Sequence, residues 1–202
     1  MAMNRVAAFF IVTFLLLQLP LQAQKALKDE IDHKLVTFQK KLLNYKNFTL
    51  PTAVEGQTIN LREHAKGKKF VLVTYFAAWC ENSNHDYETI RHLLKKFGDK
   101  GLSIVGVCNY SAPKEVKEFI TKHQPEYPIG IESNDDKQRE KTSHYSYRKL
   151  CGDDRKWGTP FTLLIEAKNI KADGELLAEE VMAANGELDR KETEKLLKQL
   201  LK

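Results

Sequence analysis

Cysteine is scarce in this chain, with three in 202 residues: Cys80, Cys108 and Cys151. The odd count leaves at least one thiol unpaired or bonded to another molecule in any oxidising compartment. None of the three lies near the N-terminus, so the thiol needed for a lipid tether on an exported protein is missing. A second long apolar run is missing too. After Val6–Leu17 nothing approaches the ~20 apolar residues of a spanning helix, and the rest of the chain reads as soluble. Charge of one sign is not segregated. The formal net charge is +5, but basic and acidic residues are interspersed, which excludes the one-sided basic patch of a nucleic-acid binder. His64, His85, His92, His123 and His144 share no metal-ligand spacing, and with one cysteine nearby they exclude a Cys/His zinc site. No internal repeat is visible, and no cofactor motif stands out.

What is present begins with an export signal. Met1 to Ala23 offers a basic start at Arg5, an apolar stretch Val6–Leu17, and Pro20 followed by Leu21-Gln22-Ala23, with cleavage expected after Ala23. This predicts a periplasmic or secreted protein that contacts a membrane only if the signal stays uncleaved. The remaining length and an apolar content of 42% suffice for one substantial core.

Residues 24–47 carry Leu27, Ile31, Leu35, Phe38, Leu42 and Leu43 at three-to-four spacing, which predicts an amphipathic helix ahead of a domain over 48–202. Phe48–Pro51 and Thr58–Leu61 around Glu55-Gly56 predict a hairpin. Buried strands are expected at Phe70–Phe76 and Leu102–Val107, joined by a helix from about Asn84 to Phe97 as a right-handed parallel crossover. A helix over Pro113–His123, a short strand over Tyr127–Ile131, and a densely charged helix and loop over Asn134–Lys156 follow. Phe161–Ile165 and Leu176–Val181 read as strands around Asp173-Gly174, and Glu187–Leu201 as a closing helix. The fold class is α/β, a central mixed sheet flanked by helices with antiparallel strands at its end.

Cys80 stands where the strand Phe70–Phe76 and the turn Ala77-Ala78-Trp79 give way to a helix. Free N–H groups and the macrodipole at a helix N-terminus favour thiolate over thiol, which makes Cys80 the candidate nucleophile. Glu81 and Asp86 oppose that effect with negative charge. Three residues on, where a Cys-x-x-Cys pair would have its second sulfur, stands Ser83, which reads as a cap for the helix at Asn84.

The phrases Phe48-Thr49-Leu50-Pro51, Gly56-Gln57-Thr58-Ile59-Asn60-Leu61, Phe70 to Cys80 and Gly158-Thr159-Pro160-Phe161-Thr162 occur in an order that resembles exported thioredoxin-like redoxins. The match is to the TlpA/ResA group of thiol-disulfide oxidoreductases within the AhpC/TSA superfamily, over about Phe48 to Lys202. The resemblance implies a thioredoxin-like fold, Cys80 as attacking sulfur, and Trp79 as the aromatic that shapes the site. It also implies Thr159-Pro160 as a cis-proline loop that aligns an extended substrate, and Asp86 as an acid assisting proton transfer. No cofactor is implied. The partners would be a thiol- or disulfide-bearing protein or a small thiol, together with a reductant.

The chain departs from that pattern at Ser83, whose hydroxyl cannot resolve a mixed disulfide. A monothiol cycle then needs another thiol. Cys108, at the end of Leu102–Val107, arrives at the same sheet edge as Cys80, and a bridge would need Cα atoms within about 7 Å. Cys151, in the charged segment before Thr159-Pro160, is the more mobile candidate. Each has an alternative as a buried, unreactive cysteine, and the two could also pair with each other. Two rival functions stand beside thiol-disulfide exchange. One is a thiol peroxidase, although Ala77 holds the place of that family's threonine; the other is a non-catalytic module that holds client peptides.

Overall fold

The computed structural model describes residues 34–202; the export signal and the start of the expected N-terminal helix lie outside the described residues. Phe70–Phe76 (β5) is buried along its whole length, which explains its nearly unbroken apolar sequence: both faces of the strand are covered. Phe70, Leu72 and Phe76 enter one core while Val71, Val73 and Tyr75 enter another, as the two-residue period of a strand requires.

Around β5 the chain lays down β1 (Leu35–Val36), β2 (Gln39–Lys46), β3 (Thr49–Pro51), β4 (Thr58–Asn60) and the short helix α1 (Leu61–His64). After β5 come α2 (Glu81–Phe97), β6 (Leu102–Cys108), α3 (Pro113–His123), β7 (Ile129–Ile131) and α4 (Ser143–Leu150). The chain ends with β8 (Phe161–Glu166), β9 (Leu176–Ala184), β10 (Glu187–Leu188) and α5 (Arg190–Leu200). Six strands form the central sheet in the order β2-β9-β8-β5-β6-β7. The β5-β6 and β6-β7 pairs are parallel, whereas β8 and β9 run antiparallel, and so does β2 on β9.

Helix α2 places Tyr87, Ile90, Leu93 and Phe97 on one face of the sheet, with Val116 and Phe119 of α3 and Leu197 of α5. Each such large apolar side chain contributes roughly 1.5–3 kcal/mol on burial. The other face is covered by Tyr147 and Cys151 at the end of α4, by Leu43 and Tyr45 of β2, and by Leu61. The β3-β4 hairpin packs on the sheet's parallel edge, where Gly130 of β7 leaves room for Leu50 and Ile59. The architecture is the thioredoxin-like mixed sheet with flanking helices that the resemblance implies. Among the described residues no helix is long and apolar enough to cross a membrane.

One expected element is overturned where it can be compared. Gln39–Lys46 is a strand paired with β9, not the later half of a helix. Leu43 and Tyr45 point inward while Leu42 is 85% exposed, so the residues alternate as a strand's do. The register shifts at a bulge between Leu42 and Tyr45, with Asn44 at φ 49, and the exposed apolar Leu42 beside buried Leu43 contributes to the three-to-four spacing read from the sequence. Smaller shifts occur at two helices. Helix α2 begins at Glu81 rather than Asn84. The closing helix begins at Arg190, because Glu187–Leu188 pairs in parallel with β1 and the Asp189 carboxylate caps the helix by accepting from the Glu192 N–H.

Candidate active site

The turn after β5 is tied to the loop after β6, so two adjacent parallel strands deliver the site together. The Ala78 N–H donates to Ser111 Oγ (2.8 Å), and Trp79 Nε1 donates to the Tyr110 carbonyl (2.8 Å). The Cys80 N–H closes onto the Ala77 carbonyl, and the helical ladder opens with the Asn84 N–H on the Cys80 carbonyl. Cys80 is therefore the N-cap residue of the 17-residue helix α2, with extended backbone and no side-chain cap. The sequence reading that gave Ser83 the capping role is corrected by this geometry. Ser83 already lies in the first turn, is buried, and its Oγ has no hydrogen-bond partner. Asn84, which the sequence reading used only as a boundary, holds the turn instead. Its Nδ2 donates to the carbonyls of Ala78 (2.9 Å) and Cys80 (3.0 Å).

The Cys80 sulfur is half-buried and lies 3.7 Å from the Thr159 carbonyl oxygen. Thr159 precedes β8, which pairs with β5, so the Gly158–Pro160 loop necessarily meets the β5 turn; the Thr159–Pro160 peptide bond is cis. The structure thus brings Cys80, Trp79, Ser83, Thr159 and Pro160 to one end of the sheet. Trp79, the residue before Cys80, remains 39% exposed.

Cys108 and Cys151 are placed differently. Cys108 is fully buried beneath Ala78 and Ser111, and burial pushes its thiol up to about 11. Cys151 ends α4 and packs in the core on the sheet face opposite α2, where burial also raises its thiol. All three cysteines are free. Cys151 is not the mobile thiol expected of its charged segment: it is fixed at a helix end, with Asn185 Nδ2 donating to its carbonyl.

Asp86 is buried one turn beyond Ser83; its Oδ1 accepts from the Leu188 N–H (2.8 Å) and its Oδ2 has no partner. Burial pushes the carboxyl from 3.8 up to about 7, against the Leu188 hydrogen bond, with Glu187 adding repulsion. Because the folded state holds this proton more tightly than the unfolded chain, the contribution of Asp86 to stability is present below about pH 4 and is lost as pH rises toward about 7. Asp86→Asn keeps the acceptor for Leu188 and is expected to flatten that decline, which urea denaturation across pH 4 to 8 would measure. An unchanged pH profile would show that Asp86 titrates normally.

The charged segment before the loop supplies residues that sequence reasoning missed. Arg148 of α4 is completely buried and donates to the carbonyls of Asp153 (3.2 Å), Arg155 (2.7 Å) and Lys156 (3.1 Å). Arg155 grips Asp153 through two nitrogens and donates to the carbonyls of Gly158 (3.1 Å) and Pro160 (3.1 Å). Burial pushes the Asp153 carboxyl up, but the Arg155 hydrogen bonds outweigh it and hold the group below its usual value. His144 is buried and stays neutral, because burial and Arg148 push it down to about 3. Its Nε2 lies 3.3 Å from the Gly158 carbonyl, which can only accept, so Nε2 carries the hydrogen and Nδ1 accepts from the Tyr110 hydroxyl (2.8 Å). The only sequence signal for this network was the density of Arg and Asp between 148 and 155.

Chemically, this arrangement offers one half-buried sulfur at a helix N-terminus, the Thr159 carbonyl against it, and an exposed indole on the residue before it. Among the described residues no cluster of three or more His, Cys, Asp or Glu side chains could hold a metal.

The sequence profile of the Redoxin family matches residues 42–197. Thiol-disulfide oxidoreductase ResA of Bacillus cereus is 27% identical over 86 residues, 43% of this chain and 48% of that protein. Thioredoxin-like protein YneN of Bacillus subtilis (strain 168) is 34% identical over 89 residues, covering 43% and 50%. The chain thus spans about half the length of the curated relatives it matches. A secreted thiol-disulfide isomerase from Corynebacterium glutamicum shares the fold, with a TM-score of 0.57 at 14% identity over 84% of this chain and 93% of that one. By these matches and by its mixed sheet, the chain belongs to the Redoxin family and has a thioredoxin-like fold.

Proposed function

We propose that this protein is exported and catalyses thiol-disulfide exchange through the single motif cysteine Cys80. The observation that carries the reading is the half-buried Cys80 sulfur at the start of α2, 3.7 Å from the Thr159 carbonyl, with a serine where a second sulfur would stand. The thiolate, not the thiol, is the nucleophilic form of such a sulfur. The thiolate attacks one sulfur of a client disulfide, forming the Cys80–client bond and releasing the other client sulfur as thiolate. Because Ser83 cannot displace the client, a second thiolate from solution attacks the mixed disulfide, takes the client sulfur and regenerates Cys80. Electrons balance, since one disulfide is consumed and one is formed. Trp79 shapes the approach and the Gly158–Pro160 loop flanks it. Burial of Cys108 and Cys151 supports an external resolving thiol. The Met1–Ala23 pattern supports export.

Incubation of the reduced protein with a short disulfide-bonded peptide, followed by mass spectrometry, is expected to give an adduct on Cys80, and Cys80→Ser is expected to reduce turnover to background. Adducts confined to Cys108 or Cys151, or unchanged turnover in Cys80→Ser, would overturn the assignment. Loss of turnover in Cys151→Ser with the Cys80 adduct retained would move the resolving step onto Cys151. Peroxide consumption that depends on Cys80, without disulfide exchange, would assign a peroxidase instead.

A further inference from the structure

An open cleft of ≈ 490 Å³, a size typical of ligand pockets, is lined in part by Trp79, the residue directly before Cys80. Its walls include the rings of Trp79, Tyr110 and Trp157, and the carboxylates of Glu115, Asp135 and Asp136. Neither Lys nor Arg is among the lining residues. Trp79 and Trp157 meet edge to face at 5.4 Å between centroids, and Tyr110 lies 5.7 Å from Trp157, so the three rings form a continuous aromatic wall. The negative face of an indole attracts cations, and Trp157 already does so within the protein. The Arg139 guanidinium carbon lies 5.3 Å from its centroid and the Lys156 ammonium 5.2 Å. Trp79, directly before the nucleophile in sequence, stays substantially exposed. Glu115 and Asp135 are fixed by accepting from the N–H groups of Ala112 (2.7 Å) and Lys137 (2.9 Å), and Asp136 is exposed.

Aromatic faces and fixed carboxylates together suit a cation, whereas an anionic or purely apolar group would meet repulsion or leave charges desolvated. The chain as a whole carries a net charge of +5, and Arg139 and Lys156 lie against Trp157, so the three acidic residues would select where on a client a basic residue may sit rather than attract basic proteins in general. Resting on the exchange reaction proposed above, we infer that the cleft receives a lysine or arginine side chain that flanks the reactive cysteine of a peptide client.

The test uses the full-length Cys80→Ser protein, which binds without reacting, and three short peptides with serine in place of the client cysteine. The residue beside that serine is arginine, its neutral isostere citrulline, or glutamate. The chain has two tryptophans, and both line the cleft, so their intrinsic fluorescence reports on it directly. The arginine peptide is expected to bind roughly fivefold more tightly than the citrulline peptide, with the glutamate peptide weakest. That preference should shrink in 1 M salt and in Asp136→Lys, whose side chain carries no cap. Equal binding of all three peptides, no detectable binding of any, or a preference untouched by Asp136→Lys would overturn the inference. Its failure is separable from that of the exchange reaction. Adduct formation at Cys80 without charge preference sinks the cleft alone, and charge preference without an adduct sinks the reaction alone.

Discussion

Gly158→Ala is expected to destabilise the fold by at least about 3 kcal/mol, the scale set by disrupting a buried, hydrogen-bonded charge. Gly158 has φ 67, where an L side chain is already strained by roughly 1–2 kcal/mol. The added Cβ would also overlap Arg148 Cδ and lie 2.6 Å from Nε and 2.8 Å from Cζ. Arg148 cannot retreat cheaply, because it is fully buried and held by three carbonyls of the 153–156 segment. Displacing it unpairs those acceptors and weakens the pairing of buried Asp153, which costs far more than the strain alone. Gly152→Ala is the control: its φ is 82 but nothing lies within 4 Å of the new Cβ, so only the roughly 1–2 kcal/mol backbone term is expected. Urea midpoints at constant slope would separate the two variants, and equal losses would show that Arg148 is not the obstacle. Turnover should fall in Gly158→Ala as well, because the same loop carries the carbonyl against Cys80.

The unevenness of what the sequence reveals follows from the same physics. Phe70–Phe76 was legible because burial on both faces demands apolar residues throughout, and Cys80 was legible because the strand and helix patterns meet at it. The Gly158-Thr159-Pro160 turn was visible through resemblance, but the residues that hold it were not. Arg148, Asp153 and Arg155 are charged, and charge in a sequence reads as solvent exposure. Here the charges satisfy one another and the loop carbonyls, which only three-dimensional proximity can show. Strand β2 was misread for a different reason. Its inward residues keep the two-residue period, but Leu42 is apolar and points outward beside inward Leu43, so the apolar residues taken together mimic a helical stripe. Ser83 was misplaced because an error of a few residues in the start of α2 turns a first-turn side chain into a cap.

Ser83→Cys is expected to produce the largest gain, by converting a one-sulfur cycle into a two-sulfur cycle. Ser83 Oγ is buried without a partner, a condition that costs about 1–3 kcal/mol, and a thiol tolerates apolar surroundings better than a hydroxyl does. The reduced variant should therefore be at least as stable as the native chain. Residues three apart at a helix start have Cβ atoms about 5–6 Å apart, and a disulfide wants about 3.5–4.5 Å. Cys80 can supply the difference because, as N-cap, it sits outside the helical ladder with φ −76 and ψ 120. Once Cys80 carries a client, the new thiol attacks it within the same molecule, and release no longer waits for a thiol from solution. Against millimolar external thiol, client release should accelerate by at least about tenfold, since intramolecular attack is far more probable than a bimolecular encounter. Rapid-quench kinetics of the mixed disulfide would measure this, and mass spectrometry after oxidation should find Cys80 joined to the new cysteine with Cys108 and Cys151 still free. If both motif sulfurs stay free after oxidation, the Ser83 position does not face Cys80, and the serine cannot be what limits the native cycle to one sulfur.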